Sequence, residues 1–196
     1  IYSFLLHRCL FICRVCSEML YASFLRPEGV YDSYFNKFVA FVTRGGNFCH
    51  SEFVFHWSEE QFAEIRDKIQ GLARYKNHKG PIDLALYVIW GDTVKYRVLN
   101  GHGDFFSVPK KDMIGIDISW EQELQLSSWL CSQVGKSYDE VGAIMSPFSF
   151  RSARDTYNAY FCSQLMACAL QRVGRLKHLN PSGLTPNSLY SALSNT

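Results

Sequence analysis

A chain of 196 residues with 47% hydrophobic content is long enough for one well-buried core and short for two, so one domain with a peripheral extension is expected. Its 20 Lys+Arg against 18 Asp+Glu, a net charge of +2, and the lack of a basic stripe argue against a nucleic-acid partner. Seven cysteines without regular spacing, in a chain too large to need stapling, argue against a secreted disulfide framework and for reduced thiols in an intracellular or otherwise reducing setting.

The chain opens at Ile1 without a Met, consistent with a processed or truncated start. Its first 13 residues are apolar but interrupted by His7 and Arg8, short of the roughly 18 apolar residues a spanning helix requires. An integral membrane protein is therefore not expected. Residues 1–25 read as helix, and residues 1–30 as an extension that packs on the domain of 31–196 or lies on a membrane surface or protein partner. Cys9, Cys13 and Cys16 have the spacing of the cluster-binding motif of radical enzymes that use S-adenosylmethionine. The same spacing marks one face of a helix, which explains it without a cluster, and the chain is too short for the barrel of those enzymes. Reversible acylation of these thiols is a further option.

After the loop signal Arg26-Pro27-Glu28-Gly29, the Phe- and Val-rich segment 36–43 reads as a strand. Arg44-Gly45-Gly46-Asn47 reads as a turn and 48–57 as a second strand, together a hairpin. Ser58 and Gln61 fit a capping box that opens a helix to about residue 75, with Phe62, Ile65, Ile69 and Leu72 as its apolar stripe. Strands are expected over 84–90 and 94–99 around the turn signal Gly91-Asp92, with a shorter extended piece near 105–108. Ser119 caps a helix running to about Val134. A loop over 135–139 and an irregular stretch containing Pro147 lead to a helix over about 159–173, and a short helix closes the chain near 187–193. Antiparallel strands flanked by helices make the fold class α+β.

Two segments hold the chemistry. Along the strand from Phe48, alternation puts Cys49, Phe53, Phe55 and Trp57 on one face, and Phe48, His50, Glu52, Val54 and His56 on the other. His50 and Glu52 then project the same way, as a base and the carboxylate that orients it. A polar, exposed sheet face is the competing explanation. In the second segment, Cys162 falls in the first turn of a helix, where unpaired amides and the helix dipole favour the thiolate and where its own N–H suits an oxyanion hole. A buried structural thiol is the alternative, since Cys162 shares a helical face with Leu165, Met166 and Ala169. His56 is a secondary base candidate, while His7, His78, His102 and His178 read as surface or loop residues.

The order His50-Ser51-Glu52, then Gly135-Lys136-Ser137-Tyr138-Asp139, then Phe161-Cys162-Ser163-Gln164-Leu165, then Thr185-Pro186-Asn187-Ser188-Leu189-Tyr190 resembles the permuted NlpC/P60 papain-like superfamily. The likeness is to its branch of YiiX-like amidohydrolases and related viral proteins, over about residues 38–193. Gln164 departs from the Glu common there, residues 1–30 lie outside the match, and the insert 58–81 is long. The resemblance implies a papain-like, circularly permuted α+β domain and a thiol hydrolase. Cys162 would attack an amide or ester carbonyl, His50 would serve as base then acid, Glu52 would orient it, and Tyr138 would line the cleft, with no metal or cofactor. Peptides, other amides and lipid esters are the implied substrates. A lipid-directed acyl hydrolase or acyltransferase, and a non-catalytic structural or interaction protein such as a component of a viral particle, are the alternatives.

Overall fold

The strand expected to carry the site forms as β2 (His50–Trp57) and occupies the middle of a five-stranded antiparallel sheet. The computed structural model describes residues 20–42, 46–99, 112–148 and 158–196. β2 is flanked on one side by β3 (Ile82–Tyr87) and β4 (Lys95–Leu99), on the other by β1 (Leu20–Leu25) and β5 (Met113–Gly115), in the order β4-β3-β2-β1-β5. The register is set by Leu25↔His50 and Tyr21↔Val54 with β1, and by Val54↔Ala85 with β3.

One sheet face carries the core. Leu20, Ala22 and Phe24 of β1, Phe53, Phe55 and Trp57 of β2, and Leu84 and Leu86 of β3 are all buried there. Alternation at period two sends these residues to one side, and each large side chain so buried contributes about 2 kcal/mol of transfer free energy. Four helices supply the opposing surface: α2 (Glu59–Lys68), α3 (Trp120–Ser132), α5 (Cys162–Arg172) and α6 (Pro186–Ser194). The expected capping box forms at Ser58 with Gln61, and the expected cap at Ser119 is also a capping box, with Gln122. α2 stops at Lys68, and its continuation is a 3-10 helix over Gln70–Tyr75. The class is α+β, with six α-helices among the described residues.

Three expectations are corrected. Residues 1–30 are not a helical extension over Leu20–Leu25, which is a strand bonded on both edges to β2 and β5. The domain therefore includes β1, because Leu20, Ala22 and Phe24 alternate inward and find two open strand edges. Residues 1–19, with Cys9, Cys13 and Cys16, lie outside the described residues, as does the extended piece near 105–108. Second, the described part of the expected 36–43 strand, residues 36–42, is helical, within α1 (Tyr34–Val42). Ser33 Oγ accepts the Asn36 N–H at 3.1 Å and caps it, and β2 takes β1 rather than this segment as its neighbour, so no hairpin forms. Third, the loop 135–139 contains β6 (Ser137–Tyr138), which pairs in parallel with β7 (Ala159–Tyr160) in a separate two-stranded sheet. α4 (Glu140–Met145) follows β6, capped by Asp139 Oδ1, which accepts the Gly142 N–H at 2.7 Å. No helix among the described residues is long and apolar enough to cross a membrane.

Candidate active site

His50 is the first residue of β2 and Cys162 the first of α5, so strand and helix present them at the rim where both begin. Helix α5 packs on β2 through its apolar face, with Leu165, Met166 and Ala169 in the core. At position N1 the backbone around Cys162 has no intrahelical amide partner. Burial pushes the Cys162 thiol up, but the neighbouring His50 ring, with the backbone N–H groups of Ser51 and Ser163, outweighs it and holds the thiol below its ordinary value. Cys49, Cys131 and Cys168 are instead pushed up to about 12 by burial. Among the described cysteines, Cys162 is the one whose thiol is held below its ordinary value, the direction that favours reactivity.

The imidazole completes the pair. Burial lowers the basicity of His50, yet Cys162 and then Glu52 more than compensate and raise it to about 9. The same proximity thus lowers the thiol and raises the imidazole, since each charged form favours the other. Glu52 Oε2 lies 3.7 Å from His50 Nε2, an ion-pair separation longer than a hydrogen bond. Both atoms, with Ser23 Oγ and Ser51 Oγ, are buried without a hydrogen-bond partner among the described residues. From that distance Glu52 still raises the basicity of the ring.

The second sheet face is not the exposed polar surface considered above. His50, Glu52 and Val54 are buried, and His56 alone of β2 is exposed. His56 stands six residues along the strand from His50, about 20 Å, where the register sets it opposite Asp83, and its Nδ1 lies 2.5 Å from Asp83 Oδ1. It is not the base. His78 is likewise engaged elsewhere, at 3.2 Å from the Pro81 carbonyl.

Tyr138 is brought to the site by the small parallel sheet, because Tyr138↔Tyr160 pairs it two residues before Cys162. The Tyr138 and Asp139 amides donate to Asp92 O and Tyr160 O, both at 2.9 Å. Gly135, with φ 91°, supplies the left-handed turn that starts this segment. Burial, then proximity to Cys162, pushes the Tyr138 phenol up. Its ring meets Trp90 at 5.6 Å, and Trp90 meets Phe35 of α1 at 4.1 Å.

Sequence reasoning missed two neighbours of the pair. Tyr31 stacks on the His50 ring, centroids 5.2 Å apart at 17°. Arg97 of β4 places Nη2 3.4 Å from Glu52 Oε1 and its guanidinium over the Tyr87 ring. Neither carries a local signal, since each is defined by strands and turns that meet only in the fold. A thiol hydrolase needs its sulfur beside the imidazole and within reach of a substrate. The two groups are together, but Cys162 is 5% and His50 4% exposed. No family model, no curated protein and no solved structure matches the chain.

Proposed function

We propose that this chain is a thiol hydrolase of the permuted papain-like type, acting on an amide or ester. The observation that carries this reading is the buried Cys162–His50 pair, with the thiol held low and the imidazole held high. In the forward step the Cys162 sulfur bonds to the carbonyl carbon, and the N–H of Cys162 at the helix start stabilises the oxyanion. His50 gives its proton to the leaving amine or alcohol, and a thioester remains on Cys162. Water then attacks the thioester with His50 as base, the acid departs, and the proton returns to the pair. Glu52 keeps the imidazolium charged and oriented. Tyr138 borders the thiol and limits the acyl group.

The test is the pH dependence of iodoacetamide alkylation, with each adduct located by mass spectrometry and His50→Ala run alongside. Fast labelling of Cys162 at pH 6, slowed by the substitution, supports the reading. Labelling that follows an ordinary thiol of pKa ~8.5 overturns it and favours the scaffold reading, which the enclosure of Cys162 and His50 supports. An acyl adduct on Cys162, seen by intact mass with a panel of amides and esters, separates turnover from mere reactivity.

A lipid-directed variant of the same chemistry is favoured by one surface observation. Tyr34, Phe38 and Phe41 of α1 are 95, 52 and 83% exposed, and Val141 and Ile144 of α4 are 63 and 46% exposed. α1 follows Tyr31 and α4 follows Tyr138, so both apolar stripes adjoin the site, and such stripes suit an acyl-chain surface. Deleting residues 1–25 is no test, because it removes β1. Phe41→Glu with Ile144→Glu is expected to abolish sedimentation with phosphatidylglycerol-containing vesicles; unchanged sedimentation, or none in the parent chain, removes the lipid version.

A further inference from the structure

The two halves of the pair come from distant parts of the chain, and one short C-terminal segment touches both. On the helix side, Ser163 Oγ donates to the Leu184 carbonyl at 2.6 Å. Gln164 accepts the Phe161 N–H through Oε1 at 3.3 Å and donates through Nε2 to Ser182 Oγ at 3.2 Å. These bonds bracket Cys162 between Phe161 and Gln164. On the strand side, Asn187 takes the Phe48 main chain at both its polar groups. Oδ1 accepts the Phe48 N–H and Nδ2 donates to the Phe48 carbonyl, each at 3.0 Å. One residue on, the Cys49 N–H donates to Leu25 O at 3.0 Å, and the next residue is His50.

The segment is built to hold still. Asn180 Oδ1 accepts the Ser182 N–H at 3.1 Å, and Thr185 Oγ1 caps α6 by accepting the Ser188 N–H at 3.2 Å. Pro186 occupies the first helical turn, where its fixed φ costs nothing. Asn187 is therefore presented from a capped helix start, with its side chain buried. Gly46 makes room for it: a Cβ there would stand 1.8 Å from Asn187 Cγ.

We infer that Ser182 to Asn187 is a positioning clamp that sets the spacing of Cys162 and His50, with Asn187 holding the His50 strand and Ser182 and Leu184 holding the Cys162 helix. The inference rests on the thiol-hydrolase reading and assigns positioning residues that touch no substrate. Its physical basis is that a hydrogen-bonded thiolate–imidazolium pair tolerates little displacement, and about 1 Å can cost up to ~100-fold in rate. The bidentate amide on Phe48 restrains the strand end in two directions at once.

The experiment is the pH profile of Cys162 alkylation in the parent chain, Asn187→Ala, Gly46→Ala and Leu193→Ala, each with a thermal melt. Asn187→Ala deletes the clamp, and Gly46→Ala displaces Asn187 by contact alone. Leu193→Ala lowers stability from the far end of α6 without touching either half of the pair. Both clamp variants are expected to slow alkylation at pH 6 by about tenfold and to move the thiol midpoint up toward the ordinary ~8.5, while Leu193→Ala melts early with an unshifted midpoint. An activated parent with unshifted clamp variants overturns the clamp alone, as does an equal shift in Leu193→Ala. An ordinary thiol in the parent overturns the hydrolase reading and the clamp with it.

Discussion

Glu123 offers a perturbation whose magnitude follows from its surroundings. It lies in the first turn and a half of α3, 2% exposed, with Oε1 accepting the indole N–H of the fully buried Trp57 at 2.6 Å. Burial raises its carboxyl to about 7 from 4.5, against the Trp57 bond, which pulls it down. A folded-state value above the unfolded one means that the folded protein binds the proton more tightly. Stability from this group is therefore retained below about pH 4.5, lost as pH rises toward 7, and level above that. With the shift of Glu123 from 4.5 to about 7, at ~1.4 kcal/mol per pH unit, the folded state is penalised by about 3 kcal/mol at pH 8 and less than ~1 kcal/mol at pH 5. Glu123→Gln keeps the acceptor for Trp57 and removes the ionisation. Urea titrations of both proteins are expected to show the variant about 2–3 kcal/mol more stable at pH 8, and nearly level with the parent at pH 5. In a chain of this size that gain is a melting point higher by roughly 5–10 °C at pH 8. The difference between variants cancels every other titrating group common to both. An equal difference at the two pH values, or a less stable variant at pH 8, would refute the idea that burial raises the Glu123 carboxyl.

Other outcomes follow from the site and the core. The His50 C2–H resonance is expected to titrate near 9, with the charged ring present below that and lost above it; in Cys162→Ser, which lacks the thiolate, the midpoint falls, and a parent midpoint near the ordinary ~6.5 would remove the ion pair. Arg97→Met leaves Glu52 buried without its nearest cation, at a cost of about 1–3 kcal/mol, reduced from the fully buried case because the Arg97 side chain is 46% exposed. Adding Glu52→Gln recovers much of that loss, and strict additivity in the double-mutant cycle would show that the two side chains do not interact. Phe53→Ala, at a position with 0% exposure at the sheet centre, is expected to cost about 3–5 kcal/mol in chemical denaturation; a loss under ~1 kcal/mol contradicts the core assignment.

Much of the site was legible because its signals are local. His50 and Glu52 lie two apart on a strand, and period-two alternation alone puts them on one side. Cys162 stands at the start of an apolar helical pattern, and Ser58 and Ser119 announce their helices by capping boxes within four residues. The misread segments had ambiguous local signals. Leu20–Leu25 is short and sits beside a longer apolar run that reads as helix, and only the open edges of β2 and β5 make it a strand. Tyr34–Val42 is rich in aromatic and β-branched residues that favour strands, but the cap from Ser33 and the filled edge of β2 leave it helical.

By itself, then, the sequence determined which side chains are candidates for chemistry and which faces of β2 and α5 they occupy, because alternation and helical period are properties of neighbouring residues. Tertiary structure decided whether those faces meet. The proximity of Cys162 to His50, the Arg97 charge on Glu52, the Tyr31 ring over His50 and the Asn187 hold on Phe48 all join residues far apart in the chain. Such contacts exist only after strand order and helix docking have been set by core burial, and that burial is a property of the whole fold rather than of any segment.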